Sequence, residues 1–157
     1  MTDPDEKSGI IFVDGDACPV VQDVVELARE ADREVVLVHN RHHEMADGPD
    51  HVEVHETGDR SDAADHYIYN NATPEDVVVT DDLGLATLIL GRGAEVVRFR
   101  GDQPTRDDIE MRLAMREASR RERAKSNRVS GPPEFTESDR RSFRRTLRRT
   151  LGLEDSS

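Results

Sequence analysis

Asp14 and Asp16 stand one residue apart in Val13-Asp14-Gly15-Asp16-Ala17-Cys18-Pro19, where the apolar run Ile10-Ile11-Phe12-Val13 ends. Two carboxylates so close repel each other unless a cation or a proton relieves them. A second acidic pair, Asp81-Asp82, follows another run, Val77-Val78-Val79-Thr80. Between them, Asp62 and Asp65 are spaced i and i+3, which puts both on one face of a helix. Hard divalent cations take oxygen ligands of this kind, so Mg²⁺ or Mn²⁺ is the expected cofactor. Two such ions about 3.5–4 Å apart can stabilise both the attacking and the leaving oxygen of a phosphodiester. The chemistry suggested is attack of metal-activated water on a phosphate ester. The competing reading is plainer: Asp16 caps a helix and the other carboxylates decorate an acidic surface.

These residues need elements to position them. Ile10–Val13, β-branched and aromatic between glycines, reads as a buried strand, and Pro19 suits the first turn of a following helix. Val20 to Ala31 repeats apolar residues at helical spacing, and Glu34 to His39 reads as a second strand. His51 to His55 alternates as a shorter one. Ser61 can cap a helix running through Asp62, Asp65 and Ile68, which Asn70 to Pro74 ends. Val77 to Thr80, Leu83 to Gly91 and Glu95 to Phe99 then read as strand, helix and strand. The alternation predicts βαβ units and a mostly parallel five-stranded sheet, whose strands' carboxyl ends are where ligands bind.

Beyond Gly101 the pattern is helical, and Thr105–Asp108 and Thr136–Asp139 both resemble capping boxes with Asp in place of Glu. Residues 126–134 form a turn-rich connector. One domain is expected over 9–151, including a helical C-terminal extension from about 105, with flexible termini at 1–8 and 152–157.

The 157 residues carry 22 basic and 34 acidic side chains, a net of −12, and the basic groups are 20 Arg against Lys7 and Lys125. That balance fits a salt-adapted chain kept soluble by its charge. It is uneven: residues 1–105 have a net of −16 and residues 106–149 a net of +6. One cysteine fits a reducing, cytoplasmic compartment. No signal-peptide core or membrane-spanning run is visible, so no membrane role is expected.

The Val13–Pro19 segment resembles the V-D-A-D-A-C-P opening of the YaiI/YqxD family, uncharacterised proteins with a PIN-like nuclease fold. Asp62-Ala63-Ala64-Asp65 with Ile68 resembles the family's D-x-A-D-x-x-I, and Thr80–Ala86 its T-x-D-x-x-L-A. Arg100-Gly101, Thr105, Ile109 and Leu113 fit its R-G and T-x-x-x-I-x-x-x-L. Gly131-Pro132, Phe135-Thr136, Asp139-Arg140 and Phe143 fit its G-P, F-T and D-R-x-x-F. The resemblance spans about residues 10–150. It implies a Rossmann-like three-layer α/β sandwich with a PIN-type acidic centre, and a metal-dependent nuclease acting on RNA ahead of DNA. Asp14, Asp16, Asp65 and Asp82 would be catalytic, with the metal held by these and Asp62. Thr80 would support Asp82, and Asp81 falls at a variable position. Gly15 replaces the usual alanine, and residues 41–50 depart from the pattern.

Two other classes fit some of these residues. Haloacid-dehalogenase-like phosphatases also end a first strand in D-x-D, with Asp14 then the nucleophile and Asp16 the acid/base, but no Lys lies between Lys7 and Lys125 to balance the phosphate. A non-catalytic nucleic-acid-binding module on the same fold is the other. Cys18 reads as structural. The six histidines, His39 to His66, match no zinc spacing and are expected at the surface. Arg112, Arg116 and Arg120, and Arg140, Arg144 and Arg148, recur every four residues. Such stripes either track the phosphates of RNA or pair with the acidic body. Phe143, Leu147 and Leu151 mark an apolar stripe that must dock on something.

Overall fold

Runs of β-branched residues build five short parallel strands, and the computed structural model describes residues 9–39, 49–58, 63–126 and 134–153. In chain order the elements are β1 (Ile11–Asp14), α1 (Val21–Glu30), β2 (Val35–His39), β3 (Val52–Glu56), α2 (Ala63–Asn71), β4 (Val77–Val79), α3 (Leu83–Gly91), β5 (Glu95–Val97), α4 (Ile109–Ser126) and α5 (Glu137–Thr150). All strand pairs are parallel and the order across the sheet is β3-β2-β1-β4-β5. The chain winds outward from β1 to β3, then returns across β1 to β4 and winds the other way. That reversal opens a crevice at the carboxyl ends of β1 and β4.

The period-two geometry of a strand divides the core. Ile11, Val13, Val35, Leu37, Val77, Val79 and Val97 face α1 and α5. Phe12, Val36, Val38, Val78 and Val96 face α2, α3 and the start of α4. The result is a three-layer α/β sandwich, as the family resemblance implies, around the parallel five-stranded sheet that the strand–helix alternation predicts.

The two C-terminal helices differ in kind. The stripe on α5 has docked: Phe143 and Leu147 are fully buried beside Val24 and Leu27 of α1, so α5 completes one helical layer. Its first turn is held by reciprocal hydrogen bonds between Thr136 and Asp139. A similar pair joins Thr105 and Asp108 ahead of α4. α4 docks on the body through Ile109, buried, and Leu113, while Met111 and residues 114–122 are exposed.

One close approach ties α5 to the rest. Gly101 has φ +91°, and a Cβ there would lie 2.6 Å from the Ser142 backbone. The Thr146 hydroxyl donates to the Gly101 carbonyl at 2.7 Å. Only glycine fits both the positive φ and the contact, which gives a physical reason for the Arg100-Gly101 pair. Among the described residues no helix is long and apolar enough to cross a membrane.

Candidate acidic site at the β1–β4 crevice

Asp14 ends β1, and the turn that follows is tight enough to put Ala17 at φ +60°. Gly15 lies under this turn with its N–H on the Val38 carbonyl at 2.7 Å. A Cβ at Gly15 would come within 2.6 Å of Leu37 Cδ1, the movable end of a side chain. Thr80, fully buried, follows β4 directly alongside. Its hydroxyl donates to Asp14 Oδ2 at 2.9 Å and accepts the Asp82 N–H at 3.1 Å.

Asp82 is the N-cap of α3: its Oδ1 accepts from the N–H groups of Gly84 and Leu85 at 2.8 and 3.2 Å. Asp65, in the first turn of α2, faces the Asp82 side chain closely enough for the two carboxyls to share a hydrogen bond when one is protonated. The fold therefore brings Asp14, Asp16, Asp65 and Asp82 together at the switch point between β1 and β4. Asp62 lies outside the described residues.

Asp81 does other work. Its Oδ1 accepts the Phe99 N–H at 2.9 Å and faces Arg98 Nε at 3.6 Å, which pins the end of β5 beside β4.

Crowding shows in the protonation of the cluster. Burial pushes the Asp14 carboxyl up to about 6; the Thr80 hydrogen bond opposes this, and the charges of Asp16, Asp82 and Asp81 add to it. Asp65 is also pushed up to about 6, by burial first and then by the charges of Asp82 and Asp14 and the shared hydrogen bond with Asp82. Among the described residues neither Asp14, Asp65 nor Asp82 is ion-paired with an Arg or Lys. The donors are all carboxylate oxygens, the set a hard divalent ion takes. No group of three or more His, Cys, Asp or Glu among the described residues already stands in a metal-holding arrangement.

Two clefts meet at the site. One, of about 460 Å³, is walled by Asp14, Asp16, Phe99, Arg100 and Phe135. The other, of about 810 Å³, lies toward α4 and is walled by Arg98, Arg112, Met115 and Arg116. Asp81 and Asp82 line both. Nothing in local sequence marks Phe99 and Phe135 as neighbours of the acids, since they come from segments 36 residues apart.

The arginine stripes divide. On α5, Arg140 and Arg144 both bond the buried Asp23 of α1, the latter at 2.8 Å. Arg144 also reaches Glu26 at 3.0 Å, and Arg148 holds Glu30 through two hydrogen bonds of 2.8 and 3.0 Å. The acids fall at i, i+3 and i+7 on α1, so the two helices zip together. On α4, Arg112 pairs with Asp102 and Asp108, while Arg116 is exposed with no ion pair among the described residues.

Cys18 is half-buried, and burial with the charges of Asp14, Asp81 and Asp23 pushes its thiol up to about 12; it is a packing residue here. The histidines correct one expectation. His39, at the end of β2, an interior strand between β3 and β1, is buried rather than at the surface. His51 sits 2.9 Å from the Val25 carbonyl, and His55 stacks on Tyr67 at 3.8 Å. His42 and His43 lie outside the described residues.

A family model described as "Uncharacterized BCR, YaiI/YqxD family" matches residues 12–152. A UPF0178 protein of Staphylococcus haemolyticus is 35% identical over 142 residues, covering 90% of this chain and 96% of that protein. A UPF0178 protein of Bacillus cereus is 38% identical over 144 residues, covering 91% and 99%. No solved structure gives a significant match. A family model spanning most of the chain, with relatives matched nearly end to end, makes this chain a member of the YaiI/YqxD family.

Proposed function

We propose that this protein is a divalent-metal-dependent phosphodiesterase that hydrolyses nucleic acid, RNA ahead of DNA. The observation that carries the reading is the convergence of Asp14, Asp65 and Asp82 from three separate elements, with no Arg or Lys paired to them among the described residues. Carboxylates kept together against their repulsion are suited to a cation. Asp14, Asp16 and Asp82 are the residues that would hold it, with Asp65, and Asp62 beside it in sequence, as further ligands or water positioners. A Mg²⁺ or Mn²⁺ ion, when bound, supplies Lewis acidity and lowers the pKa of water.

The chain's own groups do the rest. Thr80 fixes one oxygen of Asp14, and the α3 N-terminus fixes one oxygen of Asp82. Asp65, beside Asp82 in the first turn of α2, would hold the ion or orient its water. The single cysteine supports a cytoplasmic setting.

The test is cleavage of generic single-stranded RNA with Mn²⁺ or Mg²⁺, at low and high salt, beside the Asp14→Asn variant. Cleavage by the unsubstituted chain that the variant lacks is expected. An unsubstituted chain inert with both metals at both salts would sink the reading.

A further inference from the structure

The two clefts share Asp81 and Asp82 but differ in chemistry. The smaller has a flat wall: the Arg100 guanidinium lies 5.7 Å from the Phe135 ring centroid, and Asp139 holds its other end. Arg140, from α5, stands 5.3 Å from the same ring. Phe99, Ala17 and Pro19 also line it, beside Asp14 and Asp16. Planar guanidinium and aromatic groups are what nucleobases stack on.

The larger cleft has a cationic wall. Arg98 and Arg112 are already neutralised, by Asp81 and by Asp102 and Asp108. Arg116 stands one turn beyond Arg112 with no acidic partner among the described residues, and it borders the same space as Asp82. A charge so placed in a protein of net −12 suits an anion arriving beside the acids, and a phosphate is the anion the acidic site would process.

We infer that the two clefts divide one ligand, a single-stranded polynucleotide crossing the acidic centre. The Phe99–Arg100–Phe135 cleft takes the base next to the scissile phosphate, and the α4 cleft takes the following phosphate on Arg116. The inference rests on the phosphodiesterase reading for what happens at the centre, and adds how a strand is laid across it. A base in one cleft and phosphate in the other demand a ligand that continues past one nucleotide, so a mononucleotide cannot fill both.

Fluorescence anisotropy with a labelled decauridylate and the full chain tests it, on the Asp14→Asn background so that the probe survives. Arg116→Ala should weaken binding several-fold and lower the slope of log K against log salt by about one. Arg100→Lys keeps the charge but loses the planar group; it should weaken binding roughly tenfold with the salt slope unchanged. Uridine monophosphate should compete at least a hundredfold less well than the decamer. Thermal melts identify any variant whose fold is lost, and Phe135→Leu then replaces Arg100→Lys as the test of the flat wall. Unchanged binding in folded variants of both clefts overturns the inference, as does a monophosphate that competes like the decamer.

Hydrolysis of bis(p-nitrophenyl) phosphate by the unsubstituted chain with Mn²⁺ reads the underlying reaction separately. Hydrolysis with variant-insensitive RNA binding overturns the cleft assignment alone. Variant-sensitive binding without hydrolysis of this ester or of RNA supports the clefts and removes the enzymatic reading.

Discussion

The Thr80 hydroxyl joins two strand ends, donating to Asp14 Oδ2 at 2.9 Å while accepting the N–H of Asp82 at 3.1 Å. One fully buried side chain thus sets the position of two carboxylates that are 68 residues apart. Thr80→Val keeps the shape and removes both bonds. The Asp14 carboxyl should then rise above about 6, because its hydrogen bond from Thr80 is the one influence holding it down. Stability should fall by about 1–3 kcal/mol from the unsatisfied Asp82 N–H. Carboxyl NMR titration and denaturant melts read the two effects; an Asp14 pKa that drops would contradict this geometry.

The pH dependence of the metal-free protein follows from the raised carboxyls. Asp14 and Asp65 bind protons up to about pH 6 when folded but only to about 3.9 when unfolded. Their contribution is fully present below pH 4 and is lost as pH rises through 6. For Asp14 the loss is on the order of 2–3 kcal/mol; for the more exposed Asp65 it is smaller. Glu30, Asp108 and Asp139 have lowered values, so their stabilisation is lost only in more acidic solution. Between pH 4.5 and 7 the melting temperature should therefore fall as Asp14 and Asp65 ionise, and Asp65→Asn should flatten the fall.

Added Mn²⁺ should raise the melting temperature at pH 7.5 more than at pH 5, since ligation competes with protons for the same oxygens. Asp14→Asn should abolish most of that increase, and under the proposed function lower RNA cleavage by a hundredfold or more. Equal stabilisation at both pH values, or in the variant, would place metal binding elsewhere.

A route through metal-activated water forms no covalent intermediate, whereas a phosphatase of the rival type would carry a phosphoryl group on Asp14. Labelled-phosphate and beryllofluoride trapping should leave Asp14 unmodified in intact-mass and peptide spectra. Trapping there would transfer the protein to the phosphatase class.

The α5 arginines should matter for stability. Arg140→Ala with Arg144→Ala strips both partners from Asp23, which is 5% exposed, and should cost about 3–5 kcal/mol. Arg148→Ala removes a pair with an exposed glutamate and should change stability far less. Chemical denaturation separates the two cases. A stable Arg140/Arg144 variant that instead loses RNA affinity would restore α5 as a phosphate-tracking surface.

Local sequence determined the elements. Continuous apolar runs such as Val35–Val38 became strands because both sheet faces bury them, and capping chemistry at Thr105 and Thr136 started the last two helices where their spacing predicts. The acidic pairs at two strand ends were legible for the same reason: each follows an apolar run that has to be a strand. What local sequence leaves open is which strand ends are neighbours. That depends on the order β3-β2-β1-β4-β5, set by how five strands pack between helices on two faces.

The family resemblance already set Asp82 apart from Asp81, and the tertiary structure gives the physical reason. Adjacent in sequence, they part because the chain turns into α3 there, leaving one as the N-cap beside Asp65 and the other on Phe99 and Arg98. The arginine stripes likewise look alike as a four-residue repeat. Their partners differ because α5 lies against the acidic face of α1, while α4 runs past the body from Leu113 onward. Spacing fixes which side chains share a helix face; what that face meets is decided by packing of residues far apart in the chain.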